Sequence, residues 1–206
     1  DAGGDPLGHR RVGKEVVLPA LESLAINRID IAVITHPHPD HFLGYVDLLG
    51  RIPIDKLWIA NWPDKPGPYA DLIGRFQAER IPIFGPGEWP QSSNIDGMTL
   101  KVLHPSSDTN NSQSLNDNSL VLQVRYNRFT VLLTGDIEVE GERSLIRSGH
   151  DLRSTVLKAP HHGSNTSSST DLVRATQPQW VIIQCREGGL FNFPHPDVRA
   201  RFDTMG

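Results

Sequence analysis

The chain has 206 residues, with 20 Lys+Arg against 24 Asp+Glu, a net charge of −4, one cysteine and nine histidines. That length suits one domain with a sizeable core, and 37% hydrophobic against 21% charged residues excludes a disordered or fibrous chain. The mild acidity argues against holding nucleic acid through a broad basic surface, and Cys185 alone makes no internal disulfide. Apolar runs such as Ile31-Ala32-Val33-Ile34 fall far short of the roughly 20 residues of a membrane helix, and no apolar stretch at the start reads as a signal peptide.

From Arg10 to Ala25 the apolar positions Val12, Val16, Val17, Ala20, Leu21 and Leu24 fall at helical spacing, with Pro19 as a kink. Ile29–Thr35 is a β-branched run that reads as a buried strand, followed by a helix over His41–Leu49 and a strand over Leu57–Ala60. Pro63–Pro68 reads as loop, Tyr69–Arg80 as helix, Ile81–Phe84 as strand and the Pro-, Gly- and Ser-rich Gly85–Asp96 as loop. Met98–Leu103 is a strand, and Leu120–Tyr126 and Phe129–Thr134 form a hairpin turning at Asn127-Arg128. The remaining expectations are helix Glu138–Ser148, strand Thr155–Lys158, helix Leu172–Thr176, strand Trp180–Gln184 and a last helix from Asp197 to Phe202. The low-complexity tract Ser164–Thr170 reads as loop. Alternating elements with one hairpin predict an α/β domain of two mixed sheets covered by helices. No domain boundary is visible, so residues 1–206 read as a single domain, and both ends read as cut.

Most of the histidines sit at predicted strand ends. The densest group is Thr35-His36-Pro37-His38-Pro39-Asp40-His41. Each proline pushes the residue before it out of the helical region, so His36 and His38 are extended and, two apart, point to one side. Asp40 and His41 lie where the chain turns into a helix and would face a second ion. Imidazole with carboxylate suits zinc, manganese or iron, and without thiolates the pattern is not a structural cysteine–zinc site. A solvated proline-rich loop is the alternative; this density of donors directly after a buried strand favours metal. Asp136 ends the hairpin strand; Gly-Asp there is by itself an ordinary turn, but beside a metal cluster a carboxylate can bridge two cations. His161 and His162 follow the next strand within Lys158–Ser164, and His104 and His195 precede prolines. Taken singly, His104 or His195 would more often be structural. His9 and His150 read as surface residues, and Gly3-Gly4 either brings Asp1 toward the site or forms a plain turn.

These residues resemble the metallo-β-lactamase superfamily: Thr35–His41 (THPHPDH) is similar to its His-x-His-x-Asp-His motif, and Asp1–Gly4 to its Asp-x-Gly turn. Leu103-His104-Pro105, the run from Asn116 through Asp117, Asn118, Ser119 and Leu120 to Val121, Leu133–Asp136, Lys158–Ser164 (KAPHHGS) and His195-Pro196 resemble, more narrowly, the metallohydrolase domain of ComEC-type DNA-uptake competence proteins. The resemblance implies an αββα sandwich, truncated at both ends, with a dinuclear site on its rim. It implies one ion held by His36, His38 and His104, a second by Asp40, His41 and His195, and Asp136 between them. His161 and His162 would sit close by, as an extra ligand or as donors to substrate. Pro194 departs from the glycine usual before this His-Pro, which bears on the pose of His195.

Two divalent ions, zinc or manganese, would acidify a water and neutralise charge on a phosphoryl or carbonyl oxygen. Asp40, Lys158, His161 and His162 are the expected catalytic groups. The first reading is a DNA phosphodiesterase or nuclease, in the resemblance attached to a membrane channel outside this chain or free-standing in the cytoplasm. The second is hydrolysis of an amide, lactam or thioester; against it, His104-Pro105-Ser106-Ser107 differs from the His-Thr-Pro-Gly of thioester hydrolases. The third is a non-catalytic, metal-stabilised interaction module, which would be expected to have lost Asp136. Nothing in the sequence resembles a base-reading helix or an aromatic stacking platform.

Overall fold

The computed structural model describes residues 1–105, 114–186, 189 and 191–205, so the reading of Ser106-Ser107 lies outside the described residues. Asp1–Trp89 and Pro90–Gly206 form two compact units.

The first unit contains a parallel sheet of β1 (Ala32–Ile34), β2 (Leu57–Ile59) and β3 (Ile83–Phe84), in that order. Ala32, Ile34, Leu57 and Ile59 are all fully buried, as expected of a parallel sheet covered on both faces. Phe42, Tyr45, Leu48, Leu72, Ile73 and Phe76 share their core, each contributing about 1.5–3 kcal/mol by burial. Tyr45 also closes the free edge of β1. Its hydroxyl accepts the Val33 N–H at 3.1 Å and donates to the Val33 carbonyl at 2.9 Å, as a neighbouring strand would.

Two helices differ from expectation for identifiable reasons. The first is a π-helical turn, Gly13–Val17, running into α1 (Leu18–Ser23), where Pro19 sits in the first turn. Proline has no N–H to continue an α-helical ladder, and its ring excludes the carbonyl four residues back. The second is the expected His41–Leu49 helix, which is broken into α2 (Pro39–Phe42) and α3 (Tyr45–Leu48). Between them the Gly44 N–H leaves the helix and donates to the Gly3 carbonyl at 2.8 Å. α4 (Pro68–Ala78) ends before Arg80, which adopts φ 58°.

The second unit contains a six-stranded mixed sheet in strict chain order. β4 (Ser92–Ile95), β5 (Met98–His104), β6 (Val121–Tyr126) and β7 (Phe129–Leu133) are antiparallel; β8 (Val156–Lys158) and β9 (Trp180–Ile182) continue it in parallel. β4 lies within the stretch expected to be loop. It pairs with β5 through Asp96-Gly97, both at positive φ (49° and 82°), the two-residue turn that Asp-Gly favours. Leu103, Val121, Leu132 and Leu157 form a core with Leu145 of α5 (Val139–Arg147) and Leu172 of α6 (Thr170–Thr176), with Phe202 of α7 (Pro196–Met205) packed against it.

Candidate metal centre

In the first unit the donors lie in one turn after β1. His38 is extended (φ −88°, ψ 143°), as the following proline requires. His36 Nε2 and His38 Nδ1 face each other at 2.9 Å with the rings edge-on, centroids 4.6 Å apart. Two nitrogens sharing a tetrahedral zinc at 2.0–2.1 Å would stand roughly 3.3 Å apart, so the pair needs little adjustment to hold one ion. Asp40 and His41 occupy α2, with Asp40 Oδ2 3.7 Å from His41 Nε2. The turn thus offers two donor pairs.

Asp1 fixes their orientation. Ala2 N–H donates to the His41 carbonyl at 3.0 Å, and the chain then passes so close to α2 that a Cβ on Gly4 would lie 2.1 Å from the Pro39 oxygen. Only glycine allows this approach. It delivers the Asp1 carboxylate to the Thr35 N–H (2.8 Å), the Thr35 hydroxyl (2.9 Å) and His41 Nδ1 (2.9 Å). A ring that donates Nδ1–H to a carboxylate keeps a lone pair on Nε2 for an ion. The Thr35 hydroxyl is also 3.1 Å from His36 Nδ1. His36 and His41 are 0% and 2% exposed, a dry setting that strengthens such contacts.

The second unit gathers its donors from separate strand ends. Asp136 follows β7 and is 2% exposed; its N–H donates to the Ser119 hydroxyl at 3.1 Å. Lys158, at the end of β8, lies 3.6 Å from Asp136 Oδ1 and donates to the Gly135 carbonyl at 3.0 Å. His162 donates Nδ1–H to the Gln184 carbonyl at 2.7 Å, which leaves Nε2 facing Asp136 Oδ2 at 3.2 Å. A lone pair and a carboxylate oxygen at that separation are reconciled by a cation between them or by a proton on the ring. Neither this carboxylate–imidazole set nor the His36–His41 set includes a cysteine, and both fit zinc, manganese or iron.

The Pro160–Gly163 turn that carries these imidazoles is strained. His161 and His162 adopt φ 46° and 55°, a region costing non-glycine residues of order 1–3 kcal/mol each. Ser164 N–H to the His161 carbonyl (2.8 Å), Ser167 hydroxyl to the Pro160 carbonyl (3.0 Å) and Thr134 hydroxyl to the Lys158 carbonyl (2.8 Å) hold it in place. His161 Nδ1 is directed to Glu138, 3.2 Å from Oε1.

His104 is 3% exposed and donates Nε2–H to the Asp117 carbonyl at 2.7 Å, which leaves Nδ1 as its ligand position. Burial holds its pKa below the ordinary histidine value, so the ring is neutral. His195 contacts its own helix: its Nδ1 accepts the Asp197 N–H at 3.3 Å and its backbone N–H donates to the Gly163 carbonyl at 2.8 Å. Among the described residues of the second unit, the imidazole facing Asp136 is that of His162. His9 and His150 are exposed.

Sequence reasoning missed Asp117 and Ser119 as supports, although both lie in the Asn116–Val121 motif. The Asp117 carboxylate accepts the Glu138 and Gly141 N–H groups, each at 2.8 Å, capping α5 while its carbonyl holds His104. Asp–x–Ser before a buried strand gives no local sign of these long-range bonds.

Among curated proteins, the chain is 28% identical over 193 residues to ComE operon protein 3 of Bacillus subtilis (strain 168), covering 91% of this chain and 24% of that protein. It is 29% identical over 191 residues to Competence protein ComA of Neisseria gonorrhoeae, covering 92% and 25%. The chain thus spans about a quarter of the length of the curated relatives it matches. Among solved structures, the diiron β-hydroxylase CmlA of Streptomyces venezuelae superposes with TM-score 0.54 at 12% identity, over 87% of this chain and 43% of that one. Igni18, a metallo hydrolase of Ignicoccus hospitalis KIN4/I, superposes with TM-score 0.50 at 13% identity, over 85% and 72%. Residues 1–183 match the metallo-beta-lactamase superfamily, and with the two sheets and histidine-rich turns just described the chain belongs to that superfamily.

Proposed function

We propose that this chain is a dinuclear metallohydrolase domain of the competence type that cleaves phosphodiester bonds in DNA, single-stranded DNA above all. The observation that carries this reading is the surroundings of Asp136: the His162 ring faces one carboxylate oxygen at 3.2 Å and the Lys158 ammonium lies 3.6 Å from the other. A fixed cation beside a metal-binding carboxylate suits an anionic ester, whose non-bridging oxygens carry charge that a lactam or thioester lacks. Similarity to competence proteins supports DNA as the substrate.

In this reading His36, His38 and His104 would hold one ion and Asp40, His41 and His195 the other, with Asp136 as a common ligand and His162 as a further one. When bound, two such ions supply a water acidified toward neutrality and offset charge developing on the phosphoryl oxygen. Asp1 and Thr35 keep the His41 and His36 rings oriented. Asp40 orients the attacking water, Lys158 steadies a non-bridging oxygen, and His161, tied to Glu138, gives a proton to the leaving oxygen. The same reading attaches the domain to a membrane channel in the parent protein; among the described residues no helix is long and apolar enough to cross a membrane.

The test is metal analysis of the loaded protein together with incubation on linear single- and double-stranded DNA in Mn²⁺, Mg²⁺ and Zn²⁺. Two ions per chain and metal-dependent cleavage are expected. Intact DNA alongside hydrolysis of a cephalosporin or thioester would transfer the site to the small-substrate reading.

A further inference from the structure

The segment between β9 and α7 carries two phenylalanines that neither core uses. Phe191 is 73% exposed, the most exposed aromatic side chain among the described residues. Its ring is stacked on Phe193, centroids 5.7 Å apart and planes 23° from parallel, and Phe193 meets the His161 ring at 6.0 Å. Three rings thus run outward from the strained histidine turn to the surface. The row is anchored to that turn: Gln184 accepts from His162, His195 N–H donates to the Gly163 carbonyl, and Pro194 fills the space where a Cβ on Gly163 would lie 2.8 Å away. No stacking platform is visible in the sequence because Phe191 and Phe193 are isolated aromatics in a turn; only the folded segment lays one ring on the other.

We propose that the Phe191–Phe193 pair is a stacking platform for an unpaired nucleobase of the substrate, next to the group that protonates the leaving oxygen. The proposal rests on the nuclease reading above and deepens it by naming the residues that would select a single strand. A net charge of −4 gives this chain no broad ionic hold on a polyanion, so contacts that do not depend on charge must add to the local hold of Lys158 and the ions on phosphate. Aromatic faces supply such contacts: every base has a π-face, and stacking on an aromatic side chain is sequence-tolerant. A duplex keeps those faces inside its own stack, so the platform selects single strands.

The experiment measures binding of the metal-loaded protein to a fluorescent single-stranded oligonucleotide and to an abasic strand of equal length and charge. Phe191→Ala is expected to weaken binding to the base-bearing strand about 5- to 100-fold, with the abasic strand bound as by the parent protein and Phe191→Trp restoring affinity. Circular dichroism and metal content control for folding, and an exposed ring makes a folding defect easy to recognise. Equal weakening on both strands, or none on either, overturns the platform, as does weakening that Phe191→Trp fails to rescue. Base-dependent, Phe191-dependent binding without any cleavage by the parent protein would uphold the platform and overturn the nuclease reading, so the two failures are distinct.

Discussion

The turn after β1 and the turn after β8 both present adjacent imidazoles at the end of a parallel strand, but their backbones differ. Between His36 and His41 no residue takes a positive φ, and His38 sits in ordinary extended geometry before Pro39. Between Pro160 and Gly163, His161, His162 and Gly163 all take positive φ, at 46°, 55° and 80°. The first turn is shaped by its own prolines and needs outside help chiefly to orient its rings, which Asp1 and Thr35 provide. The second is shaped against local preference and depends on hydroxyls of Ser167 and Thr134 and on the packing of Pro194. Donors within one turn can be preorganised locally; donors from several strand ends need a braced scaffold.

The severest way to break the comparison is at the assembled half. Asp136→Ala removes the carboxylate that His162 and Lys158 face; metal content should fall and DNA cleavage drop by more than about 100-fold, with the circular dichroism spectrum retained. Full metal occupancy in this variant would show that the second unit holds no ion through Asp136. Asp1→Asn tests the local half. It weakens the hydrogen bonds to Thr35 and His41 without removing a ligand, and should lower metal affinity about 10- to 100-fold in a calorimetric titration, with little change in melting temperature.

Glycine substitutions sharpen the contrast in stability. Gly163→Ala places a Cβ 2.8 Å from Pro194 at φ 80°, and Gly4→Ala places one 2.1 Å from the Pro39 oxygen. Each should cost about 1–3 kcal/mol, read as a lower thermal midpoint. Metal affinity should fall with both, and a variant that kept its midpoint would show that its turn tolerates the alternative path. The smallest effect concerns Glu142, buried under the Ser164–Thr170 loop, where it accepts the Ser169 N–H at 2.9 Å and pairs with Ser168 N–H. Burial raises its pKa above 4.5, so the folded protein holds this proton more tightly than the unfolded chain. Its contribution is therefore greatest below pH 4.5 and declines as pH rises through the folded pKa. Relative to the parent, Glu142→Gln should show a shallower fall of unfolding free energy as pH rises above 4.5 in urea titrations; an unchanged profile would mean the carboxyl titrates normally.

Much of this molecule was legible before folding. Period and β-branching located most strands and helices within a few residues, because burial of Ile34, Leu57 or Leu132 demands apolar runs wherever they occur. The THPHPDH run marked an extended, donor-rich turn because proline restricts its neighbours regardless of context. Elements decided by competition were less visible. α2 and α3 are separate because the Gly44 N–H prefers the Gly3 carbonyl, forty-one positions earlier in the chain. β4 lies in a Pro- and Ser-rich stretch and becomes a strand through its pairing with β5 across the Asp96-Gly97 turn.

By itself the sequence determined which side chains carry donor atoms, and its periodicity placed His36, Asp136 and His161 just after strands, since donor chemistry and side-chain periodicity are local properties. Tertiary structure alone decided that Asp1 orients His41, that Asp117 and Ser119 support His104 and Asp136, that His162 is the ring facing Asp136, and that Phe191 lies on Phe193. Those outcomes are set by hydrogen bonds and packing between residues far apart in the chain, whose formation depends on the whole core being in place and which no window of sequence contains.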